Sequence, residues 1–204
     1  MKQSLYLLTF AMVLGLGSAF AADEKAGPKD NMPPEGFTAL FNGKDLTGWR
    51  DIDKQAESWK VQDGILHYTG KGGKNLATAK NYKNMEMWVD WKINKGGDSG
   101  IYLRSRPQVQ IWDNKEGSGG LWNNPKGSPG KEPSVVADKP IGEWNRFWIK
   151  MVGDKVSVKL NDKLVVDNCV FLEGKIPAEG PLELQIHGGP LWFKNIYVKE
   201  LPDK

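Results

Sequence analysis

The sequence predicts an all-β protein, either a sandwich or a barrel built from short antiparallel strands. Short segments of alternating apolar and polar residues recur from Gly36 to the end of the chain. Turn-forming residues separate these segments, and the 204 residues include 24 glycines and 12 prolines. No segment has the apolar periodicity of a convincing amphipathic helix, so helices are not expected to build the core.

The first half of the chain is predicted to form a series of short strands. Residues 36–41 form the first strand, and the segment 58–70 predicts a hairpin that turns at Asp63-Gly64. Residues 85–93 alternate strictly, and two further strands, 100–104 and 108–113, meet at a proline. The segment 114–134 has no periodicity, which predicts a long loop.

The second half continues the same pattern. Residues 145–167 predict three strands, which are separated by Gly153-Asp154 and Asn161-Asp162. The chain closes with strand signals in 181–189 and 191–201.

The N-terminus predicts export to the periplasm or the outside medium. Lys2, an apolar run over 5–17 and the segment Ala19-Phe20-Ala21 are typical of a signal peptide over residues 1–21. An uncleaved anchor is the less favoured alternative, because the run is shorter than the ~20 residues of a membrane span. We expect no membrane span after cleavage, a flexible lead-in over 22–34 and one β-sandwich domain over 35–202.

Charge and cysteine content narrow the class of protein. The net charge is +3 and the lysines are scattered, so no nucleic-acid partner is predicted. Cys169 is the single cysteine, which excludes an internal disulfide. Its apolar neighbours favour a buried, inert thiol over a reactive one.

Four predicted strands each carry an unusual polar face. Strand alternation places every second residue on one side of a sheet. If the strands are neighbours, one surface carries Glu86, Trp88, Asp90, Tyr102, Arg104, Gln108, Gln110, Trp112, Glu183, Gln185 and His187. Planar amides, a guanidinium group and aromatic rings suit sugar hydroxyls and apolar sugar faces. We therefore expect an oligosaccharide or glycoside ligand, with an ordinary solvated face as the alternative.

Six motifs in order resemble the 3-keto-disaccharide hydrolase domain family over residues 36–201. They are "GFTALFNGKDLTGW", "W..QDGIL", "GDSGIYLRS", "VQIWDN", "GEWNRFWIKMVGDKVSVKLND" and "ELQIHGGPLWFKNIYVKEL". Each motif alone is weak, whereas six at plausible spacing are specific. Two positions depart from the family pattern, because Gln108 and Ile186 stand where the family has acidic residues.

The resemblance implies a concanavalin A-like jelly roll, which is a two-sheet antiparallel sandwich, and it implies a substrate oxidised to a ketone at C3. Such a ketone makes the C2 proton acidic, so a base can remove it and the C1 substituent can leave. Water then adds to the product. This chemistry needs a base and an enolate stabiliser, unlike the two carboxylates of ordinary glycoside hydrolysis.

Candidate roles follow for four residues. His187 is the best base, because an imidazole titrates near neutral pH and two glycines follow it. Arg104 is expected to stabilise the enolate, and Asp113 to orient His187 or act as the acid. Trp122, in the long loop, is expected to close over the site. Each of these residues has a structural alternative. For His187 it is a turn hydrogen bond, and for Arg104 it is an ion pair. Asp113 would instead cap a turn, and Trp122 would anchor the long loop by hydrophobic contact.

Other functions stay open at this stage. A carbohydrate-binding module without catalysis would use the same face, and so would a structural domain of the cell envelope. No cofactor is predicted, since His67 and His187 lack the spacing of a metal motif. A divalent metal held by Asp113, His187 and a glutamate is still compatible with the sequence.

Overall fold

The structure, a computed structural model, describes residues 30–203. The predicted signal peptide and residues 22–29 of the predicted lead-in lie outside this range, and their assignment stays a prediction. Asp30 and Asn31 are bonded to Asn195, through Asp30 Oδ1 at 3.0 Å and Asn31 N at 2.6 Å. The contacts of the domain therefore begin before the predicted start at residue 35.

The chain folds almost entirely into strands, which confirms the predicted fold class. The first elements are β1 (Thr38–Ala39), α1 (Ile52–Gln55), β2 (Trp59–Gln62), β3 (Ile65–Tyr68), β4 (Leu76–Ala77), β5 (Met85–Ile93) and β6 (Asp98–Leu103). The remaining elements are β7 (Gln108–Trp112), β8 (Asn145–Val152), β9 (Lys155–Leu160), β10 (Lys163–Val170), β11 (Leu182–Leu184) and β12 (Leu191–Glu200). The single helical turn α1 and the two-residue β4 were not predicted, because each is shorter than any periodic signal.

Two antiparallel sheets form a jelly-roll sandwich. The larger sheet has the strand order β10-β9-β8-β5-β12-β3-β2, and β1 also pairs with β12. The smaller sheet has the order β4-β11-β6-β7. One face of each sheet is aliphatic and fully buried, as Met87 and Val89 show in β5 and Ile101 and Ile111 show in the smaller sheet. Burial of these two faces against each other is the main stabilising contribution to the fold.

The predicted hairpin is confirmed at its turn. Asp63 and Gly64 both have positive φ angles, 51° and 74°, and they join β2 to β3. Two successive left-handed residues form the tight turn that matches strand twist, and Asp-Gly is a preferred pair there. This hairpin extends the larger sheet beyond β12.

One predicted neighbour relation is wrong. Residues 85–93 are predicted to lie beside the other strands of the polar face, but β5 pairs with β8 and β12 in the larger sheet. Alternation fixes which residues of a strand share a face, but it does not say which strands are adjacent.

Candidate active site

A cleft of about 340 Å³ lies on the outer face of the smaller sheet. Its lining residues come from β6, β7, the end of β11 and the long loop: Asp98, Tyr102, Gln108, Gln110, Trp112, Trp122, Asn123, Gln185 and His187. Seven of these nine belong to the predicted face or its predicted lid. The pairing β11-β6-β7 brings them together, since Tyr102 lies opposite both Glu183 and Gln108.

Buried amides form the floor of the cleft. Gln108 and Gln110 are each 3% exposed, although they lie on the face opposite the core. Gln108 Nε2 donates to Gln110 Oε1 at 3.0 Å and to Gln185 Oε1 at 2.8 Å, while Gln110 Nε2 donates to Asp98 Oδ1 at 2.8 Å. Both protons of the Gln108 amide are thereby used, so this side chain positions its neighbours.

Gly100 makes this floor possible. It lies opposite Gln110 in the pairing of β6 with β7. A Cβ atom at this position would come within 2.5 Å of Gln108 Nε2, which is closer than packed atoms allow. The missing side chain lets Gln108 reach across β6 to Gln185, the residue that follows β11.

An aspartate and a histidine meet at one end of the floor. His187 Nδ1 lies 2.7 Å from Asp98 Oδ2. Two backbone hydrogen bonds between Asp98 and Gly188 hold the two side chains side by side. A carboxylate only accepts, so the proton of the side-chain bond lies on Nδ1 and leaves the Nε2 lone pair of a neutral imidazole free.

Two tryptophans form the wall. Trp112 donates its Nε1 proton to Gly117 O at 2.7 Å, which fixes the indole in place. Trp122 meets it edge to face, with ring centroids 4.8 Å apart, and Lys131 lies over the Trp122 ring at 4.1 Å. The loop segment that carries Trp122 pairs along β7, where Trp122 N donates to Gln108 O at 3.1 Å. Trp122 is still 43% exposed, so its ring is accessible to a ligand.

Tyr102 supplies a free hydroxyl proton to the same cleft. Its hydroxyl oxygen lies 3.5 Å from Gln185 Nε2. Burial raises the pKa of the Tyr102 phenol, and the charge of Glu183 raises it further. The hydroxyl therefore keeps its proton at neutral pH and can donate it to a ligand oxygen.

Three residues predicted for this face lie elsewhere. Glu86, Trp88 and Asp90 belong to β5 and point to the outer face of the larger sheet. There Asp90 pairs with Arg146, whose Nε lies 2.5 Å from Asp90 Oδ1. The prediction that these three share the cleft is wrong, because their strand lies in the other sheet.

Arg104 does not reach the cleft either. β6 ends at Leu103, and Arg104 has a φ angle of 51°, so the strand alternation stops before it. Its guanidinium is buried and donates to the carbonyl oxygens of Ala178, at 3.1 Å, and Gly153. The structure thus places Arg104 in a structural contact and not beside the other predicted catalytic groups.

Asp113 and Glu183 occupy positions next to the cleft. Asp113 Oδ2 accepts the Gly96 N–H at 2.9 Å, so it does not orient His187 as predicted. Glu183 lies beside Tyr102 on β11 and accepts from Asn75 Nδ2 at 3.3 Å. Neither carboxylate lines the cleft.

Sequence reasoning missed Asp98 and Asn123. Asp98, Gly100 and Tyr102 are alternate residues of β6, so the period of two carried the signal for Asp98. The predicted strand began at residue 100, which hid it. Asn123 lies in the aperiodic loop, where it accepts the Gln108 N–H at 3.0 Å. No sequence pattern marks it.

Neither a metal centre nor a membrane span is found in the described part of the chain. Within residues 30–203, no group of three or more His, Cys, Asp and Glu side chains is gathered as a metal would require. Over the same range, no helix has the length and apolarity needed to cross a bilayer.

The fold and the cleft define this protein as a jelly-roll sandwich with a polar and aromatic cleft on its smaller sheet. A family model described as a 3-keto-alpha-glucoside-1,2-lyase-like domain matches residues 36–199, and the chain belongs to that family. This match confirms the resemblance seen in the sequence.

Individual relatives agree with the family match. A curated relative from Bacteroides thetaiotaomicron, named 3-keto-disaccharide hydrolase, is 27% identical over 82% of this chain and 79% of its own. A solved structure from Parabacteroides distasonis, provisionally named a glycosyl hydrolase, has a TM-score of 0.65 at 28% identity. That match covers 85% of this chain and 100% of the other.

A carbohydrate-binding module, CBM66 from Bacillus subtilis, shares the fold alone. Its TM-score is 0.53 at 13% identity, and the match covers 76% of this chain and 96% of the module.

Proposed function

We propose that this protein cleaves the glycosidic bond of 3-keto-glucosides by removing the proton next to the ketone. The observation that carries the proposal is the pair of His187 and Asp98, 2.7 Å apart, in a cleft with a free tyrosine hydroxyl. The family match and the name of the Bacteroides thetaiotaomicron relative support this class of substrate.

The carboxylate content of the cleft argues against ordinary glycoside hydrolysis. Among the described residues that line the cleft, Asp98 is the one carboxylate, and both of its oxygens accept hydrogen bonds. Retaining and inverting enzymes use two carboxylates that flank the scissile bond. The amide of Gln108, at a position where the family has an acid, is therefore compatible with the proposed elimination but not with that mechanism.

The elimination assigns one step to each group. His187 Nε2 takes the C2 proton, and the C2–H electrons form an enolate whose negative charge lies on the C3 oxygen. The Tyr102 hydroxyl donates to that oxygen. The enolate then expels the C1 substituent, which leaves as an alcohol by taking the proton from the His187 imidazolium, and a C1–C2 double bond remains. Addition of water, with OH to C1 and H to C2, gives the free 3-keto-sugar.

Asp98 has a positioning role in this scheme. Its hydrogen bond to Nδ1 fixes the imidazole ring and its tautomer, and it stabilises the imidazolium that forms on proton transfer. Gln110 holds Asp98 in turn. The chain of contacts therefore runs from the amide floor to the base.

The test compares two histidine variants of the purified protein. Release of 3-keto-glucose from methyl 3-keto-glucoside is measured for the unsubstituted protein, His187→Ala and His67→Phe. We expect His187→Ala to lower kcat by roughly 10²- to 10⁴-fold, the usual contribution of a general base. His67 stacks on Trp192 in the larger sheet, with ring centroids 4.9 Å apart, so His67→Phe should retain activity.

Other outcomes would contradict the proposal. Saturable binding of the sugar without release would identify a non-catalytic binding module. Full activity in His187→Ala would show that another group removes the proton.

A further inference from the structure

A second cavity of about 310 Å³ adjoins the cleft at Trp112. Its apolar lining includes Trp91, Ile93 and Ile141, and its polar lining includes Asp113, Asp138 and Glu143. Trp112 lines both cavities, so its indole is the boundary between them. The second cavity lies where the end of β7 faces β5, the start of β8 and the loop 138–143.

The boundary is rigid. Trp112 is fixed at its ring by the Nε1 bond to Gly117 O and at its backbone by a 3.1 Å bond from its N–H to Ser118 Oγ. Asp113 is held by Gly96 N and Asp138 by Ser118 N. The spacing between the two cavities is therefore set before any ligand binds, which reduces the ordering cost of a ligand that occupies both.

The chemistry of the second cavity suits a sugar ring. Apolar and aromatic walls with a few placed polar groups are typical of small-molecule sites, and carboxylate oxygens accept from sugar hydroxyls. The three carboxylates face a single lining cation, Lys139. This imbalance favours a neutral or amino sugar and disfavours a uronic acid.

We propose that the second cavity is the leaving-group subsite, which binds the second sugar of a 3-keto-disaccharide while the oxidised ring lies beside His187. This inference rests on the proposed function and adds to it a preference for a neutral sugar as the leaving group. It also gives Asp113 a place in substrate recognition, since that residue does not contact His187.

The test separates the two rings of the substrate. The 3-keto-disaccharide is compared with methyl 3-keto-glucoside, which shares the oxidised ring and lacks the second sugar. Ile141→Trp fills the second cavity from its rim, where Ile141 is 45% exposed and tolerates a larger side chain. Leu164→Trp on β10, where Leu164 is 42% exposed, is the matched control.

We expect Ile141→Trp to lower kcat/KM for the disaccharide about tenfold, equivalent to about 1.4 kcal/mol, and to leave the methyl glycoside within about twofold. Leu164→Trp should change neither value. A disaccharide whose second ring is a glucuronate should be the poorer substrate of the unsubstituted protein. Equal losses on both neutral substrates, or no loss on either, would overturn the subsite.

A second readout keeps this inference separate from the proposed function. If the unsubstituted protein releases no 3-keto-sugar, the proposed function fails, and calorimetric binding of the same two sugars decides the subsite. The subsite would then be supported if Ile141→Trp binds the disaccharide more weakly than the unsubstituted protein does and binds the methyl glycoside equally well. Equal binding to both proteins, or no binding at all, would overturn it.

Discussion

His187 is a base candidate because of its neighbour and not because of burial. Its side chain is 67% exposed, so most of the imidazole ring is in contact with solvent. What the fold supplies is direction, since Asp98 holds Nδ1 and aims Nε2 away from the carboxylate. Exposed histidines without such a partner sample many rotamers, and a general base must be positioned before its basicity matters.

Asp98→Asn tests this positioning. The change keeps the shape of the side chain and removes the charge that stabilises the imidazolium. We expect kcat on methyl 3-keto-glucoside to fall by about 10²-fold or more, with little change in the thermal unfolding midpoint. Asp63→Asn is the isosteric control, because Asn-Gly forms the same turn as Asp-Gly. Equal activity in the two variants would remove Asp98 from the scheme.

Tyr102→Phe tests the enolate stabiliser. The hydroxyl is the free donor beside Gln185, and its raised pKa keeps it protonated through neutral pH. Loss of one preorganised donor should lower kcat by about 10²-fold while KM changes little. The measurement is steady-state release of 3-keto-glucose. An unchanged kcat would assign the enolate contact to the second proton of Gln185 Nε2.

At the scale of one element, the hairpin of β6 and β7 explains both the success and the failure of the predicted site. Alternation holds over Asp98–Leu103, so Tyr102 faces the cleft. It fails at Arg104, because Arg104 and Ser105 both have positive φ angles and turn the chain. The Arg104 side chain then docks on the carbonyls of 153 and 178 and fastens the hairpin to two distant loops.

Arg104→Ala tests this structural role. Burial lowers the pKa of the guanidinium, and the nearby charge of Asp154 opposes that effect. The group keeps its charge at neutral pH and makes charge-assisted hydrogen bonds, which the variant loses. We expect the free energy of unfolding to fall by about 2 kcal/mol in urea titrations, with kcat retained. A variant of unchanged stability and lost activity would restore Arg104 to the catalytic groups.

At the scale of the whole molecule, the two sheets give their outer faces different chemistry. The outer face of the smaller sheet holds buried amides beside the Tyr102 hydroxyl, and it carries the proposed binding site. The face of the larger sheet pairs its charges internally: Lys92 lies 5.0 Å from the Trp192 ring, and Arg146 binds Asp90. Such pairing satisfies these side chains without a ligand.

The larger sheet predicts a pH dependence of stability. Burial lowers the pKa of His67, and the charge of Lys92 lowers it further, so the unfolded chain takes up this proton more readily than the folded one. The contribution of neutral His67 to the free energy of unfolding is fully present above the unfolded pKa of about 6.5. It is lost as pH falls through the folded pKa. We expect a lower thermal unfolding midpoint at pH 5 than at pH 7.5.

His67→Phe isolates that contribution. The phenylalanine ring can keep the stack on Trp192 and cannot be protonated. The difference between the unfolding midpoints at pH 5 and pH 7.5 should therefore be smaller in this variant. An identical difference in both proteins would assign the acid sensitivity to other groups.

The sequence by itself determined the fold class, the hairpin at Asp63-Gly64 and the face on which Gln108, Gln110 and Gln185 lie. These features are local, because strand alternation and turn chemistry depend on neighbours along the chain. The family, too, was visible in the order of six motifs.

Only the tertiary structure decided which strands are adjacent and which charges meet. It separated Asp90 from the cleft, turned Arg104 away and brought Asp98 to His187 across 89 positions of the chain. Strand order is set by packing between distant segments, and no period in the sequence encodes it. The cleft residues on strands were therefore predictable strand by strand, whereas Asn123 in the loop and the hydrogen-bond partners were not.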